Sequence, residues 1–414
     1  MVPHARHQFQ DNIKSYNMRI RNIFLLISIL PLAAVQGCRG ELPVLPSEPV
    51  EVNPWDTVSG DICGFYLLNE GNMGSNKASL DYYDYTTGVY TRNIYGERNP
   101  NEVKNLGDVG NDIKIYGGRL WAVINCSNYV EVMDVQSVRH ITKIAVPNCR
   151  YLAFKDRYAY VSAYAGPVKI DPDARIGMVV KIDTATLEIV DSCIVGYQPE
   201  EMAVVGNKLY VANSGGYRVP DYDSTVSVID LVSFRELYKI PVGINLHRLE
   251  PDRYGNLYVS SRGDYYDVPS KTFIIDTRTD VCTDTLHLLP NSNMTLCGDS
   301  LYIYSTEFSY LTNDWTVSYA ILNTVTRQVV TRSFITDGTD DNIQVPYGLA
   351  VHPVTKEFFV TDAKDYVSPG TLHCFSPDGR RKWSVTTGDI PAHIVFTHKP
   401  LIPLEKLKDF LEQR

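Results

Sequence analysis

Residues 207–234 read NKLYVANSGGYRVPDYDSTVSVIDLVSF. LYVAN, from Leu209, and TVSVID, from Thr225, are short runs rich in aromatic and β-branched residues, the pattern of β-strands. The ten residues GGYRVPDYDS lie between them. A hairpin needs only two to five. The stretch therefore poses two questions: what larger unit the strand pair belongs to, and what the long loop is for.

The pair recurs. First runs are FYLLNEG at 65, LWAVINC at 120, AYVSAYA at 159, LYVANSG at 209, LYVSSRG at 257, LYIYSTE at 301 and FFVTDAK at 358. Each is followed by a second run ending in a polar turn residue: Asp84, Asp134, Asp183, Asp230, Asp276, Asn323 and Ser376. Such residues bond the backbone two residues on and close a turn. They recur every 46 to 53 residues, the period of propeller blades. A third element precedes each first run, as in NDIKIYGG at 111 and EEMAVVGN at 200, and a fourth follows the turn, as in RELYKIPVG at 235. The expected fold is all-β: a seven-bladed β-propeller of four-stranded blades. The run AHIVFTHK at 392 supplies the innermost strand of the first blade and closes the ring. Length alone, at 414 residues, would suggest two or three domains; one closed ring replaces that expectation.

The chain ends read differently. MRIRNIFLLISILPLAAVQGC, from Met18, has a basic start and an apolar run from Ile23 to Val35. That is the form of a secretory signal, with residues before Met18 reading as an over-extended start. Gly37 before Cys38 resembles a bacterial lipoprotein processing site, which would make Cys38 the lipidated first residue. RGELPVLPSEPVEVNPW follows, a Pro-rich extended tether. The expected division is signal 1–37, lipidated Cys and tether 38–59, propeller 60–400 and tail 401–414, where LEKLKDFLEQR reads as a surface helix or frayed end. Taking off residues 1–37, with four Lys/Arg and one Asp, moves the formal charge from −9 to −12. That opposes a nucleic-acid partner, since phosphate backbones need a basic face. Seven cysteines remain after Cys38 with no CxxC pair, which gives no zinc pattern.

In a propeller, the loops between second and third strands share one face with the entries to the innermost strands. On that face the loops carry Tyr164, Tyr217, Tyr265, Tyr266, Tyr310, Trp315 and Tyr366. EFSYLTNDW, from Glu307, reads as one such loop. Tyrosine makes up 28 of 414 residues, and exposed loops need none for folding. Aromatic loop residues give rigid contact surface at low entropy cost. Several are expected to pack on blade edges. Innermost-strand entries add Asp112, Arg150, Tyr151, Glu200, His247, Arg248, Tyr347 and His393. Ends of second strands add Asn69, Glu70, Asn125, Asn213 and Arg262. This mixture suits a ligand with many amide or hydroxyl groups, although the same residues could serve only to satisfy backbone groups at the channel mouth.

No GxSxG, HExxH, P-loop or GxGxxG pattern in a βαβ setting is present, so no catalytic residue and no resident cofactor is expected. His247 and His393 lack a third ligand. Glu200, Asp112 and Glu70 would suit a lactonase-type calcium, but Arg150, Arg248 and Arg262 share their ring, and no metal site is expected.

The blade pattern NKLYVANSGG…STVSVIDLVSFRELYKIPVG resembles the YVTN/YncE family of propellers over residues 61–398. The lipoprotein-like start, the tether and FYLLNEGNMGSNKASLDYYD look like secreted YncE-like lipoproteins of Bacteroidota, among them the BtuG type. That resemblance implies a surface lipoprotein of the outer membrane that captures cobalamin or a related corrinoid on the loop face. It would pass the corrinoid to a BtuB-type TonB-dependent transporter. A glycan or peptide would use the same tyrosines, and a metal-dependent lactonase-type enzyme would need an acid–base pair or metal on the axis.

Overall fold

In the computed structural model, the turn residues hold the outer strand pairs as their chemistry requires. The structure describes residues 47–52, 61–102, 106–286, 289–309 and 314–413. The signal-like segment, Cys38, most of the tether and Tyr310 lie outside the described residues. Asp84 Oδ1 accepts the Thr86 N–H, Asp183 Oδ1 that of Ala185, Asp276 Oδ1 that of Arg278 and Asn323 Oδ1 that of Val325. Asp230 instead accepts from Ser233, three residues on. Ser376 has a hydroxyl rather than a carboxylate and donates to the Arg380 carbonyl.

These turns organise seven antiparallel sheets. In the fourth blade the order is Pro199–Val205, Lys208–Asn213, Thr225–Asp230 and Arg235–Pro241. The first blade takes its innermost strand from the far end of the chain. Pro391–Thr397 pairs with Gly64–Asn69, Phe65 facing Phe396 and Leu67 facing Ile394.

Successive side chains on a strand point to opposite faces. Here each face meets a neighbouring blade, so second strands read as apolar on both sides. Tyr66 and Leu68 pack towards the second blade with Ile113, Leu120 and Met133. Phe65 and Leu67 pack towards the seventh with Phe359, Leu372 and Trp383. At that closing seam, Phe65 lies with ring centroids 5.0 Å from Phe359 and 5.2 Å from Tyr83.

Three features depart from a plain four-stranded repeat. Glu48–Glu51 adds a fifth strand to the outer edge of the first blade, within the segment expected to be tether. An outer edge is the place in a sheet that tolerates a proline such as Pro49. A short helix, Ile94–Arg98, joins the first two blades and buries Tyr95, whose hydroxyl donates to Glu131. The sixth blade carries an elongated hairpin, Ser300–Ser309 with Asp314–Asn323, paired over ten residues. Most of EFSYLTNDW is therefore strand rather than loop. The tail forms a helical turn at Leu404–Lys406 and a helix at Leu407–Glu412, with Leu407 buried.

Candidate functional site

The loop that opened the sequence reading is pinned at several points. Gly215 has φ +54, and a Cβ there would lie 2.3 Å from the Asp223 nitrogen, so only glycine fits. Asp223 accepts from Ser224 N, Thr225 N and Tyr197 N. Arg218 lies 3.8 Å over the Tyr197 ring and donates to the Pro172 carbonyl in the neighbouring loop. The Tyr217 N–H donates to Gln198 Oε1 at 2.7 Å, and its carbonyl accepts from Asp171 N at 2.8 Å. The long loop holds Tyr217 in place, 37% exposed, on the rim of a central cavity.

That cavity has a volume of about 690 Å³ and opens on the face where second strands end and innermost strands begin. Its rim is aromatic: Tyr265 is 52% exposed, Tyr266 74% and Trp315 45%. Gly263 shapes the blade-five rim loop. It has φ +65, and a Cβ there would lie 1.9 Å from the Val268 carbonyl oxygen. Asp264 then accepts the N–H groups of Tyr266 and Val268. Tyr366 lies partly buried, with ring centroids 5.9 Å from Tyr347.

The floor is built from ion pairs and shared hydroxyls. Glu200 is fully buried and takes Arg150 at 2.9 Å, Arg262 at 3.3 Å and the Tyr164 hydroxyl at 2.5 Å. Burial pushes its carboxyl up, but Arg150 above all, with Arg262 and Tyr164, holds it below the usual carboxylate range. The Tyr151 hydroxyl meets His247 Nε2 at 2.9 Å. Burial, reinforced by Arg262, Arg248 and Arg150, drives the His247 pKa well down, so the ring is neutral. Across the mouth, Glu70 accepts from the Tyr347 hydroxyl at 2.8 Å and pairs with His393 at 3.5 Å.

Thirteen of the residues singled out in the sequence line this one cavity: Glu70, Asn125, Arg150, Tyr151, Tyr217, His247, Arg248, Arg262, Tyr265, Tyr266, Trp315, Tyr347 and Tyr366. Others do structural work. Asn69 donates to Ser79 Oγ, and Asn213 donates to Thr225 and Ser227 while accepting from Gly196 N. Asp112 accepts the Leu152 N–H, and Glu201 that of Leu249. Innermost strands have an edge with no sheet neighbour, and their N–H groups need partners; these carboxylates supply them from the adjacent blade. Tyr164 and Glu200 lie behind the wall, and His393 stands 6.4 Å ring to ring from Tyr151. Tyr310 lies outside the described residues.

Several lining residues were not anticipated. Thr306, Glu307 and Thr316 come from the elongated hairpin of the sixth blade, and Tyr304 from its base. The signal for them was present as continued alternation through LYIYSTEF. Met73, Val168 and Val268 add apolar edge; isolated aliphatic residues in loops carry no such signal. Among the described residues, no group of three or more His, Cys, Asp or Glu is placed to hold a metal ion.

A family model described as a domain of unknown function, DUF5074, matches residues 63–384. The chain belongs to the DUF5074 family. The match spans five complete blades, the first without its C-terminal innermost strand and most of the seventh, so in this DUF5074 protein the family unit is the propeller itself. No curated protein matches it. Among the solved structures that resemble it are two at 14% identity. One is a quinoprotein alcohol dehydrogenase-like protein from Bacteroides thetaiotaomicron, with TM-score 0.53, covering 81% of this chain and 78% of that one. The other is hydrazine synthase of Kuenenia stuttgartiensis, with TM-score 0.52, covering 65% and 77% respectively. At that identity the likeness concerns the fold, and a fold hosts many functions.

Proposed function

We propose that this protein is a surface binding module that captures a corrinoid, cobalamin or a close relative, at the mouth of its propeller. It would release the ligand to a TonB-dependent transporter in the outer membrane to which Cys38 anchors it. The observation that carries the reading is the cavity of about 690 Å³ with an exposed aromatic rim over a floor of paired charges and hydroxyls. Pockets of that size suit large organic ligands, and exposed apolar surface marks a ligand or partner. A corrinoid is larger than the cavity. It would seat one face on the aromatic rim and leave the other outward, as suits a carrier that must give up its cargo. Its amide fringe matches Asn111, Asn125, Ser292 and Thr306 at the wall.

The second reading is a glycan or peptide ligand, favoured by Trp315 and Tyr266 as flat, solvent-facing platforms. Titration of the purified protein with cyanocobalamin by calorimetry separates the two. One-to-one binding with thermal protection is the expected result. Absence of both heat and protection, followed by binding of an oligosaccharide, would replace the corrinoid with a sugar.

A further inference from the structure

We infer that the floor of the mouth, on the side of blades three to five, is a subsite for an oxyanion: a phosphate or carboxylate group centred on Arg248. The inference concerns the chemistry of the site and stands whether the whole ligand is a corrinoid or not.

Three guanidinium groups, of Arg150, Arg248 and Arg262, border the same cavity. Arg150 and Arg262 share the single carboxylate of Glu200, at 2.9 and 3.3 Å. Arg248 is the least compensated. Among the described residues, its one ion pair is to Glu201 Oε1 at 3.7 Å, too long for a hydrogen bond. The other Glu201 oxygen is taken by the Leu249 N–H at 3.0 Å. The Arg248 Nε is buried and makes no hydrogen bond. Beside it, His247 is 7% exposed, and its Nδ1 likewise has no partner. Buried polar atoms are rarely left unmatched, and two unmatched nitrogens on consecutive residues of one innermost strand face the same need. Three cations against the two carboxylates Glu200 and Glu201 leave this quadrant one positive charge, with His247 held neutral and the neighbouring Glu250 carboxyl, which burial above all pushes up to about 8, protonated at neutral pH. Glu70, across the mouth, is occupied by Tyr347 and His393. Below the floor, Asp112 and Lys114 offset one another at 3.8 Å. An arginine fork matches planar oxyanions with two parallel donors, and the Arg248 guanidinium, 5.1 Å from the Tyr151 ring, borders the cavity.

The test uses the purified full chain and inorganic phosphate, with acetate as a second oxyanion and sodium chloride at matched ionic strength as reference. Phosphate is expected to raise the melting temperature above the chloride reference in a saturable way. Arg248→Gln should weaken phosphate binding about ten- to hundredfold, the range of a lost charge-assisted hydrogen bond. Arg248→Lys, which keeps charge but not the fork, should fall between and serves where the glutamine variant fails to fold. Acetate binding at the same residue would assign carboxylates to the subsite as well. Cobalamin, which carries a phosphodiester, and cobinamide, which lacks one, then tell whether the oxyanion arrives on the larger ligand or free. No saturable phosphate or acetate effect, or equal affinity in wild type and both variants, would overturn the inference. Cobalamin failing to bind while phosphate does would leave the oxyanion subsite standing and remove only the corrinoid.

Discussion

Replacing Glu200 by glutamine removes the one carboxylate that two half-buried arginines share. The Glu200 side chain is 1% exposed, Arg150 13% and Arg262 27%, so water compensates Arg150 least. Breaking a buried ion pair by deleting one partner costs about 3–5 kcal/mol, because a charge is left uncompensated. Glutamine keeps one acceptor for Tyr164 or Arg150, which places the expectation at the lower end, about 3 kcal/mol. Unfolding about 350 residues at about 2.1 cal/mol/K each corresponds to about 0.7 kcal/mol/K, so the melting temperature should fall by about 4 °C. Scanning calorimetry at pH 7 reads this directly. The double variant Arg150→Gln with Glu200→Gln should lose less than the two single losses added, since removing both partners leaves fewer orphaned charges. The same carboxyl sets an acid limb. Its folded pKa lies below its unfolded value, so its stabilisation is full above the unfolded pKa and is lost as pH falls through the folded one. Glu200→Gln should therefore narrow its deficit below pH 4. A glutamine variant melting within 1 °C of wild type at pH 7 would refute the account of the floor as a charge-clamped unit.

Further expectations follow from other parts of the structure. Changing Tyr217, Tyr265 and Tyr266 together to alanine should weaken cobalamin binding at least about tenfold while leaving the melting temperature within 2 °C, since these side chains are exposed; unchanged affinity in the calorimeter would remove them from the site. Gly263→Ala puts a Cβ into the Val268 carbonyl at positive φ, so ligand affinity should drop as the Tyr265–Tyr266 loop is displaced, with a stability loss of about 1–2 kcal/mol; full binding by this variant would show that the loop is not set by that turn. Burial, followed by Glu201, pushes the Glu250 carboxyl up to about 8, with Lys114 and Arg248 acting the other way. Its protonated form therefore favours the folded state below its unfolded pKa, and that advantage fades as pH rises towards 8. Glu250→Gln should gain on wild type in melting temperature between pH 5 and 8 and hold a constant lead above, whereas parallel curves would contradict it.

The blade repeat was legible because period, turn chemistry and strand composition all pointed to one answer. LYVAN, TVSVID and Asp230 each made sense alone and agreed when repeated. The closing strand at 391–397 was legible for the same reason: the first blade lacked an innermost run, and AHIVF was left over. The Glu48–Glu51 strand was not, because its four side chains are all exposed and an outermost edge strand needs no apolar pattern. The helix at Ile94–Arg98 is held by Tyr95 and Arg98 reaching the second blade, a tertiary cause that five residues do not announce. At the site, sequence brought the right loops to one face. It did not separate Arg248, with an unmatched donor, from Asn213, whose amide is spent on its own blade. Residue type is the same evidence in both cases; only the neighbours differ.

The origin of the first blade's innermost strand also sets a clock. As the chain emerges N-terminus first, blades two to six each complete themselves within about fifty residues. Gly64–Asn69, by contrast, waits for Pro391–Thr397, some 320 residues later. Through that interval the strand carrying Phe65 and Leu67 has an open edge and apolar faces, the pairing of surfaces that invites association with other chains. The last blade-forming segment to be made thus both closes the ring and ends the period in which the first is exposed.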